Sequence, residues 1–252
     1  MIALEPFLLD GPDGKRLRGD RAVGNDRQIL FITGFLSKRW GNKSKALAQW
    51  SQERGWGFCC YDVRGFGDSE GRFTDYTLSD WIADAKAVVG SLESGPSLTL
   101  VGNSLGSWIA WLVAQNCPIV EELILIAPAF NMMGERAKTI SKDRLHDWQV
   151  TGWMPWDDDP LHKNWPLSWK WVEESEHYWA RTFDNPRPVK TTILHGLEDS
   201  VITSEGSRRF ADELLGRHPG FPLDLKLVPG DHRLSNPEHV ELLRRLVVGR
   251  RE

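Results

Sequence analysis

The sequence predicts an α/β fold, a mostly parallel, doubly wound sheet with a Trp-rich helical cap inserted into it. Three observations point there. Short apolar runs, Gly-bearing turns and segments of helical period follow one another along the chain, the pattern of a parallel sheet with helices on both faces. The runs are continuous rather than alternating, as in strands buried on both sides. The rhythm breaks once, between about 129 and 187. A stretch without strand signals between two strong strands reads as an inserted, partly helical element rather than one loop.

In chain order, about the first 25 residues read as a hairpin turning at Gly11-Pro12-Asp13-Gly14. Strands are expected at 28–33, 57–63, 97–102, 122–127, 191–195 and 223–228. Helices are expected at about 44–54, 77–92, 105–116, 204–216 and 237–249. Two of them carry start signals. Ser204 reads as a cap with Glu205 in the first turn, and Asn236 caps the last helix ahead of Pro237, whose missing N–H costs nothing at the first helical position. The core is therefore expected over 1–128 and 188–252, with a cap over 129–187 lying on the C-terminal edge of the sheet.

A length of 252 residues suits one large domain, or one domain with an insertion. With 40% apolar residues, 31 basic and 35 acidic side chains, the chain has the apolar surface that disordered chains lack. It also lacks the basic excess of a nucleic-acid binder. Three cysteines, with Cys59 and Cys60 adjacent, make no disulfide framework, and a reducing compartment is the default. The opening MIALEPFLLDGPDGKRL has no basic start, signal-length apolar core or small-residue cleavage site. No run approaches the roughly 18 apolar residues of a membrane span. A soluble, cytoplasmic protein with no nucleic-acid partner and no membrane span is expected, and no oligomeric state is inferred.

Ligands on such sheets bind beyond the carboxyl ends of the strands. There the strand at 97–102 runs into Gly102-Asn103-Ser104-Leu105-Gly106 and then a helical segment. G-x-S-x-G between strand and helix holds a serine on a tight, strained turn with its hydroxyl projecting, the glycines leaving room for neighbouring backbone. The bland alternative is a Gly-rich turn with a solvated serine. A serine hydroxyl attacks only when a base takes its proton and a third group orients that base. In this architecture the order is serine, acid, histidine, and two later strand ends supply it: His195-Gly196-Leu197-Glu198-Asp199 and Pro229-Gly230-Asp231-His232. Asp199 is preferred over Glu198, which lies one residue nearer the strand. His232 is preferred over His195, read as turn-stabilising, over His218 before a Pro-Gly turn and over His239 in a helix. Oxyanion donors are expected from the backbone N–H groups of Leu105 and Phe35, Phe35 lying in the loop after the first long strand. Phe35 as a mere core residue is the rival reading.

The segment from Asp62 to Gly71 (DVRGFGDSEG) reads as structural, Arg64 pairing with a nearby carboxylate; Ser69 opens no helix and fails as nucleophile. Of 13 tryptophans, seven fall between 148 and 179. Trp153, Trp156, Trp165, Trp169 and Trp171 are read as lining an acyl pocket, with Trp153, Trp156 and Trp169 as the chosen substrate-binding candidates and cap-to-core packing as the alternative use. Trp165, Trp169 and Trp171 cannot share one helix face. Asp157–159 before Pro160 read as a solvated turn rather than a cation site.

Together GNSLG, HGLED, GDH and the DxRGxGxS loop resemble the α/β-hydrolase family over about residues 28 to 245. The family's common His-Gly in the oxyanion loop is Thr33-Gly34 here; because the donor is main chain, catalysis should survive with a different support for the loop. TGFLSKRWGNKSKALAQW, DVRGFGDSEG and LVGNSLGSW are similar, more narrowly, to the mitochondrial abhydrolase-domain palmitoyl-protein thioesterases that also cleave acyl glucuronides. The resemblance implies an α/β-hydrolase fold and hydrolysis of small-molecule acyl esters or thioesters; that chemistry requires no cofactor, and no metal is expected because no His/Cys cluster has zinc spacing. Amidase, peptidase or C–C hydrolase chemistry with the same triad is the alternative, and a non-catalytic binding protein on the same fold is the alternative of another class.

Overall fold

The computed structural model describes residues 4–92, 97–155 and 165–249. The opening hairpin is β1 (Glu5–Asp10) and β2 (Arg16–Ala22), antiparallel and closed by a Gly14 N–H to Gly11 C=O bond of 2.9 Å. Then come β3 (Arg27–Ile32), α1 (Asn42–Arg54), β4 (Gly57–Asp62), α2 (Leu78–Gly90), β5 (Ser97–Asn103), α3 (Leu105–Ala114) and β6 (Val120–Ile126). The interrupted region holds α4 (Met132–Thr139), α5 (Lys142–Thr151), β7 (Trp153–Met154), β8 (Leu167–Ser168) and α6 (Lys170–Trp179). The chain returns to the sheet with β9 (Lys190–Gly196), α7 (Ser204–Arg217), β10 (Leu223–Val228) and α8 (Pro237–Val248).

The eight-stranded sheet has the order β1-β2-β4-β3-β5-β6-β9-β10. β1 and β2 run antiparallel and the pairs from β4 to β10 are parallel. Each apolar run feeds two cores because successive strand side chains point to opposite faces. Ile29 and Phe31 of β3 join Leu47 and Trp50 of α1 and Leu243 and Val247 of α8 on one face. Leu30 and Ile32 join Trp81 of α2, Trp108 and Trp111 of α3 and Phe210 of α7 on the other. Burial on both faces explains why the runs lack polar alternation.

Through α1 the chain steps outward from β3 to β4, then passes back over β3 through α2 to reach β5. The strand order therefore reverses between β3 and β5, and such a switch point opens a crevice at the carboxyl ends of its strands.

Two expectations need correction. The interrupted region is not free of strand, since Trp153 and Met154 pair with Ser168 and Leu167. The cap of α7 is Thr203, extended at φ −67°, with Ser204 already inside the helix. Asn236 behaves as expected, accepting from the His239 N–H at 2.9 Å with Pro237 in the first turn.

The interrupted region packs on the core through α6. The Glu174 carboxylate accepts from Thr77 Oγ1 at 3.0 Å and from the Ser79 N–H at 2.8 Å, at the N-terminus of α2, where unpaired amide groups favour an anion.

Candidate active site

Ser104 sits where β5 becomes α3, with φ 53° and ψ −121°. A non-Gly residue there is strained and must be held by its surroundings. Its N–H donates to the Ile126 carbonyl at 2.8 Å, and its carbonyl accepts from Ala129 N at 3.2 Å. The flanking glycines are required by close approach. A Cβ on Gly102 would lie 2.4 Å from Ser107 Cα, and one on Gly106 would lie 2.2 Å from the Ile32 carbonyl oxygen.

Asp199 and His232 follow β9 and β10, which pair in parallel and end side by side. Ser104 Oγ lies 3.2 Å from His232 Nε2, and His232 Nδ1 lies 2.6 Å from Asp199 Oδ2. A carboxylate only accepts, so Nδ1 carries the proton and Nε2 offers its lone pair to the serine hydroxyl. The three residues singled out from sequence thus meet in one hydrogen-bonded line.

The Asp199 side chain is fully buried. Its Oδ1 accepts the N–H groups of Val201 and Ile202 at 2.9 and 2.8 Å. Burial pushes its carboxyl up, but bonds from His195, His232 and the Ile202 N–H outweigh it and hold the group well below the usual carboxylate range. His195, read from sequence as turn-stabilising, bonds to the Ile202 carbonyl at 2.9 Å and also reaches Asp199 Oδ2 at 3.1 Å.

The segment after β3 lies against the serine. A Cβ on Gly34 would stand 3.2 Å from both Ser104 Cβ and the Asn103 carbonyl oxygen, so a larger residue would push the loop away. Leu36 has φ 52°. Phe35 lies between these two, while Leu105 is the first residue of α3, one of the four whose N–H has no acceptor within the helix. The Phe35 ring is 5.9 Å from Phe73, 5.8 Å from Trp81 and 5.7 Å from Trp171. Its side chain is an anchor in this aromatic cluster.

A buried ion network stands behind this loop. The Arg39 N–H donates to Asp62 Oδ1 at 2.6 Å, and its guanidinium donates to Asp20, Asp62 and Asp68. Thr33, in the position of the usual histidine, gives Lys38 C=O a bond of 3.3 Å. The rest of the Asp62–Gly71 segment is structural as expected. Arg64 bonds Asp84 and Asp13, and Ser69 Oγ donates to the Asp62 carbonyl while accepting the Arg18 N–H.

The proposed pocket tryptophans are less uniform. Trp153 is 44% exposed on β7. Trp169 precedes α6, with its ring edge-on to Trp148 at 5.3 Å. Trp156 and Asp157–159 lie outside the described residues. Trp171 and Trp165 instead reach the core, Trp171 against Trp81 at 4.9 Å and Trp165 against Phe73 at 5.1 Å.

Sequence reasoning missed three supports: His195 on Asp199, Arg39 behind the loop, and Lys43. The last donates from α1 to the Arg233 carbonyl beside His232. Burial pulls the Lys43 ammonium down to about 8, against the pull of Asp231.

The Hydrolase_4 family profile, described as serine aminopeptidase, S33, matches residues 25–154, which include Ser104. Human mitochondrial palmitoyl-protein thioesterase ABHD10 is 27% identical over 243 residues, covering 94% of this chain and 76% of that protein. The structure of mouse α/β hydrolase domain-containing protein 10 superposes with a TM-score of 0.83 at 24% identity over 97% of both chains. Est1E from Butyrivibrio proteoclasticus, solved with ferulic acid bound, gives a TM-score of 0.77 at 22% identity over 96% of both. The fold is the α/β-hydrolase fold.

Proposed function

The chain belongs to the Hydrolase_4 family, described as serine aminopeptidase, S33, and from that premise we propose that it is a serine hydrolase cleaving acyl esters or thioesters of small molecules. Ser104 attacks the acyl carbonyl while His232 Nε2 takes the hydroxyl proton. Asp199 holds the imidazole in the Nδ1–H tautomer and stabilises the imidazolium. The N–H groups of Leu105 and Phe35 hold the oxyanion. His232 then gives its proton to the departing alkoxide or thiolate. Water, deprotonated by the same imidazole, adds to the acyl-enzyme, and collapse of the second tetrahedral intermediate returns the proton to Ser104 and frees the carboxylic acid. No cofactor enters this scheme.

The observation that carries the reading is the unbroken Ser104–His232–Asp199 line, with contacts of 3.2 and 2.6 Å. Likeness to palmitoyl-protein thioesterases over most of the chain supports the ester and thioester class. The family's description as an aminopeptidase favours amide cleavage as the second reading. Turnover of p-nitrophenyl acyl esters, acyl thioesters and aminoacyl anilides by the purified protein separates the two. Ser104→Ala should abolish turnover and fluorophosphonate labelling while the circular dichroism spectrum stays native. Undiminished turnover in that variant rejects the mechanism.

A further inference from the structure

His195 is fully buried at the end of β9, and each of its ring nitrogens has a partner. Nε2 faces Asp199 Oδ2 at 3.1 Å and the Ile202 carbonyl at 2.9 Å. Both are acceptors only, so Nε2 bears the proton. Nδ1 lies 2.7 Å from Ser207 Oγ, a buried hydroxyl in the second turn of α7. In the neutral ring that hydroxyl donates to Nδ1. One Asp199 oxygen therefore takes two imidazole N–H groups, from His195 and from His232, while the other takes two backbone amides.

We propose that His195 is a positioning residue of the triad, a neutral Nε2–H donor that fixes the Asp199 oxygen facing His232 and draws off part of its charge. This rests on the assignment of Ser104, Asp199 and His232 as catalytic. A turn-stabilising residue needs only the Ile202 bond; a donor aimed at Oδ2 acts on His232 as well. Sharing Oδ2 between two imidazole N–H groups fixes the direction of the bond to His232 Nδ1 and spreads the charge that faces it. Asp199 is poised for this because its four donors already keep it ionised. The charged groups around the pair include Glu198, next to Asp199, Asp231 and Arg233, on either side of His232, and Lys43, which reaches that loop from α1. The side-chain donors to the Asp199 carboxylate among the described residues are His195 and His232.

The experiment compares wild type, His195→Leu and His195→Gln on a p-nitrophenyl ester, with active sites counted by fluorophosphonate titration. Leucine fills the space without a donor, whereas glutamine sets an amide N–H where Nε2–H lies. Loss of a hydrogen bond to a charged group should lower kcat about tenfold in His195→Leu, with KM within twofold. The acid limb of its kcat/KM profile should move up by roughly half a pH unit or more. His195→Gln should recover most of kcat and the wild-type limb. A folded His195→Leu with unchanged kcat per titrated site and a superimposable pH profile overturns the proposal. Should that variant fail to fold, histidine NMR of the wild type decides: an Nε2–H of His195 whose proton is shifted far downfield, as in a charge-assisted bond to a carboxylate, sustains it, and a proton on Nδ1 or an unshifted Nε2–H overturns it. Ser104→Ala, run alongside, tests the triad separately. If Ser104→Ala is inert while the His195 variants behave as wild type, only the positioning role falls.

Discussion

Asp199 gathers four donors around a carboxylate that solvent does not reach. Its folded value lies below the 3.9 or so of an exposed aspartate. The folded chain therefore holds the ionised form more tightly than the unfolded chain does. That contribution is complete above about pH 4 and is lost as the pH falls through the folded value. Asp199→Asn should cost about 1–3 kcal/mol at pH 7, since the amide turns a donor toward imidazole and backbone N–H groups. Urea unfolding of both proteins at pH 7, 5 and 3 checks the sign: the gap should narrow at the lowest pH, and a constant gap refutes it. Strain gathers around the same place. Leu36, Ser104, Ala127 and Leu234 all have positive φ, and each follows a strand at the carboxyl edge.

At the scale of elements, α6 is the tie between the inserted region and the core, and Glu174 makes it specific. The side chain is mostly buried, bonds Thr77 and Ser79, and has Lys170 3.6 Å away. Glu174→Ala leaves the Ser79 N–H at the start of α2 without that acceptor and should lower stability by about 1–3 kcal/mol. Glu174→Gln, which keeps an acceptor but not the charge at the helix terminus, should lose less; the midpoints of chemical unfolding test the order. Elements and supports differ in how far sequence reveals them. The core strands were legible because burial on both faces leaves a continuous apolar run, and Ser104, Asp199 and His232 were legible because each follows a strand in a Gly-bearing turn. Arg39 with Asp62, and Lys43 with Arg233, lie 23 and 190 residues apart. Such pairings leave no local pattern. His195 was visible as a strand-end histidine, but its second acceptor emerges only when the turn closes. The two-residue strands β7 and β8 are too short to show a period.

Across the whole molecule, one aromatic seam links the inserted region, the sheet's flanking helix and the loop beside Ser104. Trp171 comes from α6, Trp81 from α2 and Phe35 from the segment after β3, with ring centroids 4.9 to 5.8 Å apart. Trp171 is 1% exposed and Trp81 2%. Close-packed interiors shift neighbours when a large ring is removed, because the cavity is only partly refilled. The neighbour expected to shift here is Phe35, one residue beyond Gly34, where an added Cβ would stand 3.2 Å from Ser104 Cβ. Through α6 the inserted region is thereby coupled to the geometry of the proposed oxyanion donors, apart from the Ala129 N–H that already meets the Ser104 carbonyl. Trp171→Phe keeps an apolar ring but leaves a gap on the Phe35 side, and should lower kcat about 3- to 10-fold as the donor drifts from its mark. The same change should cost about 1–3 kcal/mol of stability, below the range for loss of the whole side chain. KM for a short acetyl ester should stay within about twofold, since interactions made only in the transition state are the ones weakened. Steady-state kinetics on p-nitrophenyl acetate with a thermal melt reads both. A variant destabilised as expected but with unaltered kcat would show that the seam holds the fold alone, and that the loop carrying Phe35 is fixed by the Arg39–Asp62 network instead.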